Sequence, residues 1–84
     1  MTTGVKVYGA AWCEDTQATR NQLDSLGVPY QYLDVDHDPQ AKAWVEQQNG
    51  GKQKTPTLDL AGEILSVPDE HDLEDALRGK GLMS

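Results

Sequence analysis

Short apolar runs alternate with amphipathic stretches along the chain, and this alternation predicts a regular series of strands and helices. Runs rich in β-branched and aromatic residues are predicted as strands, because such residues favour the pleated sheet. The runs are Val5 to Tyr8, Tyr30 to Val35, Thr57 to Leu60 and Glu63 to Val67. Stretches with helical spacing follow the first, second and fourth of them. The predicted order is therefore βαβα, a β-hairpin and a final helix.

The first predicted helix begins beside two carboxylates and ends at a glycine. Glu14 and Asp15 lie where the helix would open, and negative charge there complements the helix dipole. Gly27 ends the helix, since glycine readily adopts the left-handed backbone of a C-cap, and Pro29 follows it. Between these signals, four residues recur near helical spacing: Ala18, Gln22, Leu23 and Leu26.

The second predicted helix has boundary signals at both ends. Asp38 followed by Pro39 is typical of an N-cap and the first helical position. The segment Asn49-Gly50-Gly51 marks its end. The helix between them carries Ala41, Trp44, Val45 and Gln48.

The last predicted helix begins at Asp69, with Asp72 three residues further on. It is expected to end before Gly79 and Gly81 and to bury three apolar side chains: Leu73, Ala76 and Leu77. Ahead of it, the two-residue link Ala61-Gly62 forces its flanking strands to be antiparallel neighbours.

These elements predict an α/β fold with one four-stranded mixed sheet flanked by three helices. The βαβ unit implies a parallel strand pair with a right-handed crossover, and the hairpin adds antiparallel strands. At 84 residues the chain is expected to form a single domain over residues 1–84.

Charge and cysteine content limit the possible partners and compartment. The net charge of −7 argues against nucleic acid or an anionic membrane as the main partner, because both attract positive fields. No apolar run is long enough to span a membrane. Met1-Thr2-Thr3-Gly4 shows neither a basic n-region nor an apolar h-region, so we expect no signal peptide. A single cysteine cannot form an internal disulfide, so we expect a reducing cytoplasm.

Cys13 lies at the predicted turn between the first strand and the first helix. A thiolate there would face unpaired backbone N–H groups and the positive end of the helix dipole, which both lower its pKa. The alternative is a buried cysteine that acts as a small apolar residue. Its position favours the reactive interpretation, because ligands bind at the carboxyl edge of parallel strands.

Thr55-Pro56 is the second candidate element, since a proline that opens a predicted strand is unusual. A cis peptide bond would expose the backbone of Thr55 toward the turn at Cys13. Exposed backbone of this kind can pair with an extended peptide. An ordinary trans proline is the alternative, and the spacing of the residues does not decide between them.

Three segments together resemble the glutaredoxins: Trp12-Cys13-Glu14-Asp15-Thr16, Thr55-Pro56-Thr57 and Asp69-Glu70. The segment Asn49-Gly50-Gly51 resembles the small mycoredoxin-type members in particular. The resemblance implies a thioredoxin-like fold, a nucleophilic Cys13 and a cis bond before Pro56. It also implies that the Thr55 backbone pairs with glutathione or a substrate peptide, and that Asp69 and Glu70 hold the γ-glutamyl end of glutathione.

The chain departs from that family at three places. Thr16 stands where the second cysteine usually lies, so only a monothiol route remains, in which a thiol from solution resolves the mixed disulfide. The Thr16 hydroxyl is a candidate hydrogen-bond donor to the Cys13 sulfur. Ala10 stands where many members carry a lysine. Glu14 and Asp15 place negative charge next to the thiol, which opposes both thiolate formation and anionic glutathione.

The remaining candidates each have a functional and a structural interpretation. Lys54, in the cluster Lys52-Gln53-Lys54, could contact a substrate carboxylate or be a solvated loop lysine. Trp12 could be an apolar platform for a substrate or could pack on the last helix. Trp44, Tyr30 and Tyr32 are predicted to be structural, while the isolated His37 and His71 are predicted to lie at the surface and to bind no metal.

The sequence therefore predicts a monothiol glutaredoxin-like oxidoreductase acting through Cys13. Its co-substrate would be glutathione or another low-molecular-weight thiol, with no permanently bound cofactor, and its partner a small thiol or a thiolated client protein. We expect a monomer. An iron–sulfur cluster carrier, or a binding module without turnover, are the alternative functions.

Overall fold

The computed structural model describes residues 4–83, so the first three of the four residues used for the signal-peptide prediction, Met1-Thr2-Thr3, lie outside the described residues. Its strands are β1 (Val5–Gly9), β2 (Gln31–Asp34), β3 (Thr57–Leu60) and β4 (Glu63–Ser66). Its helices are α1 (Glu14–Leu26), α2 (Pro39–Gln48) and α3 (Glu70–Gly79). This order confirms the predicted βαβαββα arrangement.

The four strands form one mixed sheet in the order β2-β1-β3-β4. β1 runs parallel to β2 and antiparallel to β3, and β3 pairs antiparallel with β4. Ala61 and Gly62 both adopt positive φ in the β3–β4 link, at 53° and 103°. This backbone matches the twist of a two-residue hairpin, so the predicted antiparallel pairing is confirmed.

Each face of the sheet has its own apolar core, because successive residues of a strand point to opposite faces. Val5 and Val7 of β1 pack with residues of α1 and α3, in a core that also contains Leu23, Leu58, Leu60, Leu73 and Leu77. Tyr8 and Ala10 pack on the other face against α2, with Val35, Ala41 and Val45. The sheet therefore carries α1 and α3 on one face and α2 on the other.

The buried side of α1 differs from the residues that the spacing singled out. Leu23 is buried, but Ala18 is exposed, and the other buried positions are Thr16 and Thr19. Threonine is only weakly apolar and is easily overlooked in a hydropathy pattern, although its methyl group packs well in a core. Gly27 caps the helix in the left-handed conformation at φ 70°, as predicted.

The predicted N-caps of the other two helices are confirmed. The Asp38 carboxylate accepts hydrogen bonds from the backbone N–H groups of Gln40 and Ala41, both at 3.1 Å. The Asp69 carboxylate accepts from the Asp72 N–H at 2.7 Å. Each cap satisfies donors that a helix start would otherwise leave unpaired.

The predicted strand ends need small corrections. β2 spans Gln31–Asp34 and is thus shorter than the predicted run from 30 to 35. β4 ends at Ser66 and not at Val67, because Val67 leaves the extended region with φ 46°. Its N–H still donates to the Pro56 carbonyl at 2.8 Å, in register with the β3–β4 pairing, but Pro56 has no N–H with which to return a bond. Within the described residues, no helix is long and apolar enough to cross a membrane.

Candidate functional site

Cys13 lies at the junction of β1 and α1, where it is the N-cap of the helix. Its thiol donates toward the Thr55 carbonyl oxygen, with 3.5 Å between sulfur and oxygen. The Thr55–Pro56 bond is cis, as the resemblance implied, and Pro56 is buried. The structure therefore brings together Cys13, Thr55 and Pro56, which the sequence analysis had named separately.

The Cys13 sulfur is half-buried and has a pKa below that of an ordinary cysteine. Burial alone raises this pKa, but hydrogen bonds to the ionised sulfur from the side chains of Thr55 and Thr16 and from the backbone of Thr16 and Asp15 outweigh burial. The contact with the Thr55 carbonyl belongs to the protonated thiol, since only that form has a hydrogen to donate. The site therefore favours a thiolate at the start of α1.

Thr16 connects the thiol to the end of β1. Its side chain is fully buried, and its hydroxyl oxygen accepts the backbone N–H of Ala10 at 3.3 Å. The same hydroxyl has one hydrogen left to donate, and the sulfur of Cys13 receives it in the ionised state. Thr16 thus fixes the first turn of α1 against the strand and lowers the thiol pKa.

Gly9 makes this close packing possible. A Cβ atom at Gly9 would overlap the Thr16 side chain, with the hydroxyl oxygen only 2.7 Å away. The backbone of Gly9 does not have a positive φ, so space and not conformational freedom requires glycine here. The packing of Gly9 on Thr16 sets the distance between β1 and the start of α1, and hence the position of Cys13.

Trp12 is 71% exposed and does not pack on α3, so that structural interpretation is wrong. Its indole N–H donates to the Asp36 carboxylate at 2.8 Å. Asp36 in turn donates its backbone N–H to Asp34 at 2.9 Å, and Asp34 pairs with the exposed His37 at 2.8 Å. The loop after β2 therefore fixes the ring of Trp12, the residue that directly precedes Cys13.

Asp36 is a site residue that the sequence analysis missed. It follows a parallel strand at the same sheet edge as Cys13, and that placement is the signal that could have identified it. His37 lies at the surface as predicted, and the hydrogen bond and charge of Asp34 raise its pKa.

Asn49 holds the loop before the cis proline. Its amide donates to the Val45 carbonyl at 2.7 Å and to the Thr57 hydroxyl at 3.2 Å, and its amide oxygen accepts from the Ser66 hydroxyl. The Thr57 hydroxyl donates to the Lys54 carbonyl at 2.7 Å. These bonds join the end of α2 to β3 and β4. They fix the backbone on both sides of Thr55, while the Lys54 side chain stays exposed.

An open groove of about 530 Å³ lies between α1 and the loop that leads into α3. Four carboxylate residues line it: Asp15, Asp69, Glu70 and Glu74. Val67 lines the same groove. The Glu70 carbonyl accepts the side-chain amide of Gln22 at 2.8 Å, which ties α3 to α1. Asp69 and Glu70 are thus placed in one groove with Asp15 from the first turn of α1.

The described residues were also compared with two other kinds of site, a second hollow and a metal-binding cluster. A larger hollow of about 700 Å³ lies between β4 and α3, and neither Cys13 nor Thr55 lines it. Within residues 4–83, no group of three or more His, Cys, Asp or Glu side chains has the geometry to hold a metal ion.

Trp44 stacks on Tyr8, with ring centroids 4.1 Å apart, in agreement with its predicted structural role.

Solved structures with the same arrangement of elements include two glutaredoxins. One from Archaeoglobus fulgidus superimposes with a TM-score of 0.76 at 21% identity, covering 92% of this chain and 88% of that one. A buckwheat glutaredoxin in complex with glutathione superimposes with a TM-score of 0.75 at 18% identity, covering 98% and 83%. These similarities confirm the predicted thioredoxin-like fold.

Sequence comparison agrees with the fold. Mycoredoxin 1 of Corynebacterium glutamicum is 34% identical to this chain over 56 residues, which make up 67% of this chain and 68% of that protein. The family model described as Glutaredoxin matches residues 5–65, from the start of β1 to the middle of β4. Because that match spans most of the chain and includes Cys13 and the cis proline, this protein belongs to the glutaredoxin family.

Proposed function

We propose that this protein is a monothiol oxidoreductase that reduces mixed disulfides between a client cysteine and a low-molecular-weight thiol. The observation that carries the proposal is the Cys13 sulfur, which is partly exposed, has a lowered pKa and lies 3.5 Å from the Thr55 carbonyl. A thiolate is the reactive form in disulfide exchange, so a lowered pKa increases the reactive fraction near neutral pH.

The reaction begins when the Cys13 thiolate attacks the small-thiol sulfur of client–S–S–R. The S–S bond breaks, the client sulfur leaves with the electron pair and takes up a proton, and Cys13–S–S–R forms. A second small thiolate, R′–S⁻, then attacks the sulfur of R. The products are R–S–S–R′ and the regenerated Cys13 thiolate, so the small thiol supplies the electrons.

Thr16 is what restricts the protein to this route. A second cysteine at that position would resolve the intermediate by forming a disulfide with Cys13. The Thr16 hydroxyl cannot form a disulfide. It instead stabilises the thiolate through its hydrogen bond to the sulfur. The second thiol must therefore come from solution.

The substrate contacts follow from the surroundings of the thiol. The Thr55 backbone beside Pro56 would pair with an extended substrate. Trp12 precedes Cys13 and Lys54 precedes Thr55 along the chain, and Asp69 and Glu70 lie in one groove with Asp15, where they would attract a substrate amine. Glutathione is a candidate co-substrate, since the buckwheat relative binds it. An iron–sulfur cluster is less suited to this site, because Glu14 and Asp15 add negative charge next to the thiol.

The test is the reduction of a glutathionylated peptide by excess glutathione, followed by chromatography of the released peptide thiol. The wild type should accelerate the release, and mass spectrometry should find one glutathione attached to Cys13 when the second thiol is withheld. Cys13→Ser preserves the size of the side chain and should return the rate to the uncatalysed background. Equal rates for wild type and Cys13→Ser, with glutathione and also with cysteine or 2-mercaptoethanol, would refute the proposal.

A further inference from the structure

Cys13 is the last residue of a β-turn, residues 10–13, that leads from β1 into α1. The Cys13 N–H closes the turn by donating to the Ala10 carbonyl at 3.1 Å. The two central residues, Ala11 and Trp12, are both exposed. Because these residues are not packed in a core, the position of the turn depends on the hydrogen bonds that reach it from neighbouring elements.

Helix α1 and the start of β3 supply some of these bonds. The side-chain amide of Gln17 donates to the Ala11 carbonyl at 3.1 Å, and the Thr16 hydroxyl accepts the Ala10 N–H at 3.3 Å. The thiol at the end of the turn contacts the Thr55 carbonyl, just before β3. The turn is thus held from the helix and from the β3 side of β1.

A further bond reaches the turn from the other side of β1, where β2 lies. The indole of Trp12 has one N–H, and it donates to the carboxylate of Asp36, in the loop after β2, at 2.8 Å. Since 71% of Trp12 is exposed, this hydrogen bond and not burial fixes the ring. The Asp36 carboxylate therefore ties the turn to the β2 side of the sheet.

The backbone around Asp36 is itself fixed by three contacts. The Asp36 N–H donates to the Asp34 carboxylate at 2.9 Å, and the His37 ring bonds to the other oxygen of that carboxylate at 2.8 Å. The Val35 N–H donates to the Gly9 carbonyl at 3.0 Å and so joins the start of this loop to the end of β1. Asp36 is therefore held in a defined place relative to the strand that leads to the thiol.

We propose that Asp36 is a positioning residue for the Cys13 thiol and acts through Trp12. The thiolate depends on hydrogen bonds from Thr55 and from the first turn of α1, and such bonds weaken steeply when the partners are displaced. Without the bond to Asp36, the turn would move and the sulfur would spend less time in the reactive position. The inference rests on the proposed function, because the attack of this sulfur on a disulfide is the step that Asp36 supports.

The test compares variants that separate the hydrogen bond from the charge. Asp36→Ala removes both, whereas Asp36→Asn removes the charge but keeps an acceptor oxygen for the indole. For reduction of a glutathionylated peptide, kcat/KM should fall about three- to tenfold in Asp36→Ala, the range that one net hydrogen bond commonly contributes. It should stay within about twofold of wild type in Asp36→Asn. Circular dichroism before unfolding begins confirms that each variant is folded under the assay conditions.

A double-mutant cycle shows whether Asp36 acts through Trp12. Trp12→Phe keeps an aromatic ring but removes the N–H, so it breaks the same bond as Asp36→Ala. The double mutant should lose about three- to tenfold less kcat/KM than the product of the two single losses, because that bond can be broken only once. Independent losses, which multiply in the double mutant, would overturn the inference.

Two readouts do not require turnover. The Cys13 pKa, from the pH dependence of alkylation by iodoacetamide, should be higher in Asp36→Ala than in Asp36→Asn, since both lack the charge and only the first lacks the bond. Hydrogen exchange of the Cys13 N–H, which closes the turn, should be faster in Asp36→Ala than in Asp36→Asn.

The outcomes distinguish this inference from the proposed function. Equal kcat/KM, Cys13 pKa and exchange rate in Asp36→Ala and Asp36→Asn would overturn the role of Asp36 and leave the proposed function intact. If wild type fails to reduce the peptide, the proposed function falls. The pKa and the exchange rate then still decide whether Asp36 positions the thiol.

Discussion

A methyl group added at Gly9 should lower the free energy of unfolding and also raise the pKa of Cys13. The new Cβ would lie 2.7 Å from the Thr16 hydroxyl oxygen and closer still to its methyl group, in a fully buried position. Overpacking of this kind typically costs about 1–3 kcal/mol. Alanine also reduces the entropy of the unfolded chain, which offsets about 0.4–1 kcal/mol. We expect a net loss of about 1–2 kcal/mol for Gly9→Ala.

The cause can be isolated with a double-mutant cycle. Thr16→Ala alone should cost about 1–3 kcal/mol, because it leaves the buried Ala10 N–H without its acceptor. In that background the nearest remaining atom to the new Cβ is the Cβ at position 16, at 3.1 Å, so Gly9→Ala should cost well under 1 kcal/mol. The two substitutions should therefore couple by about 1 kcal/mol or more, in the direction that makes the double mutant more stable than additivity predicts.

Urea unfolding followed by circular dichroism gives the four free energies, provided that the slope of the transition is unchanged among the variants. The Cys13 pKa, measured by the pH dependence of alkylation, should rise in Gly9→Ala because the start of α1 is displaced. Additive free energies, or a Gly9→Ala variant as stable as wild type, would refute the idea that contact with Thr16 is what requires glycine here.

Three further predictions follow from single contacts. Thr16→Val removes the hydroxyl but keeps the shape, so the Cys13 pKa should rise and the alkylation profile should move to higher pH; no shift would refute the role of that hydrogen bond. Val67→Gly should stabilise the protein by about 0.5–2 kcal/mol in urea unfolding, because glycine relieves the positive φ and little buried area is lost; a lower midpoint would contradict this. Asn49→Ala should cost about 2–3 kcal/mol by breaking three hydrogen bonds, whereas the exposed control Gln48→Ala should stay within about 0.5 kcal/mol.

The sequence predicted those parts of the fold that depend on local chemistry. Asp38 and Asp69 cap helices through bonds to residues two or three positions away, and Gly27 ends a helix through its own backbone. Signals of this range are contained in a few neighbouring residues. The order of elements and the location of Cys13 followed from them.

The contacts that were missed depend on residues distant in sequence. Asp36 and Trp12 are 24 positions apart in the sequence, and no local pattern predicts the hydrogen bond between them. Val67 is a typical strand residue, but its positive φ and the missing N–H of Pro56 opposite it end β4 at Ser66. The buried face of α1 also depends on a residue outside the helix. Thr16 can be buried there because Gly9 has no side chain, and a hydropathy pattern does not contain this information.

The two tryptophans lie in contrasting surroundings, so their intrinsic fluorescence can report on two parts of the protein separately. Trp12 is open to water and directly precedes Cys13, while Trp44 is half-buried and stacked on Tyr8 on the α2 side of the sheet. Water-exposed indole fluoresces at longer wavelength than shielded indole. Emission at the red edge should therefore follow events at the cysteine, and the stacked ring should report whether the second core is intact. A Trp44→Phe variant would leave the first signal alone, without any added dye.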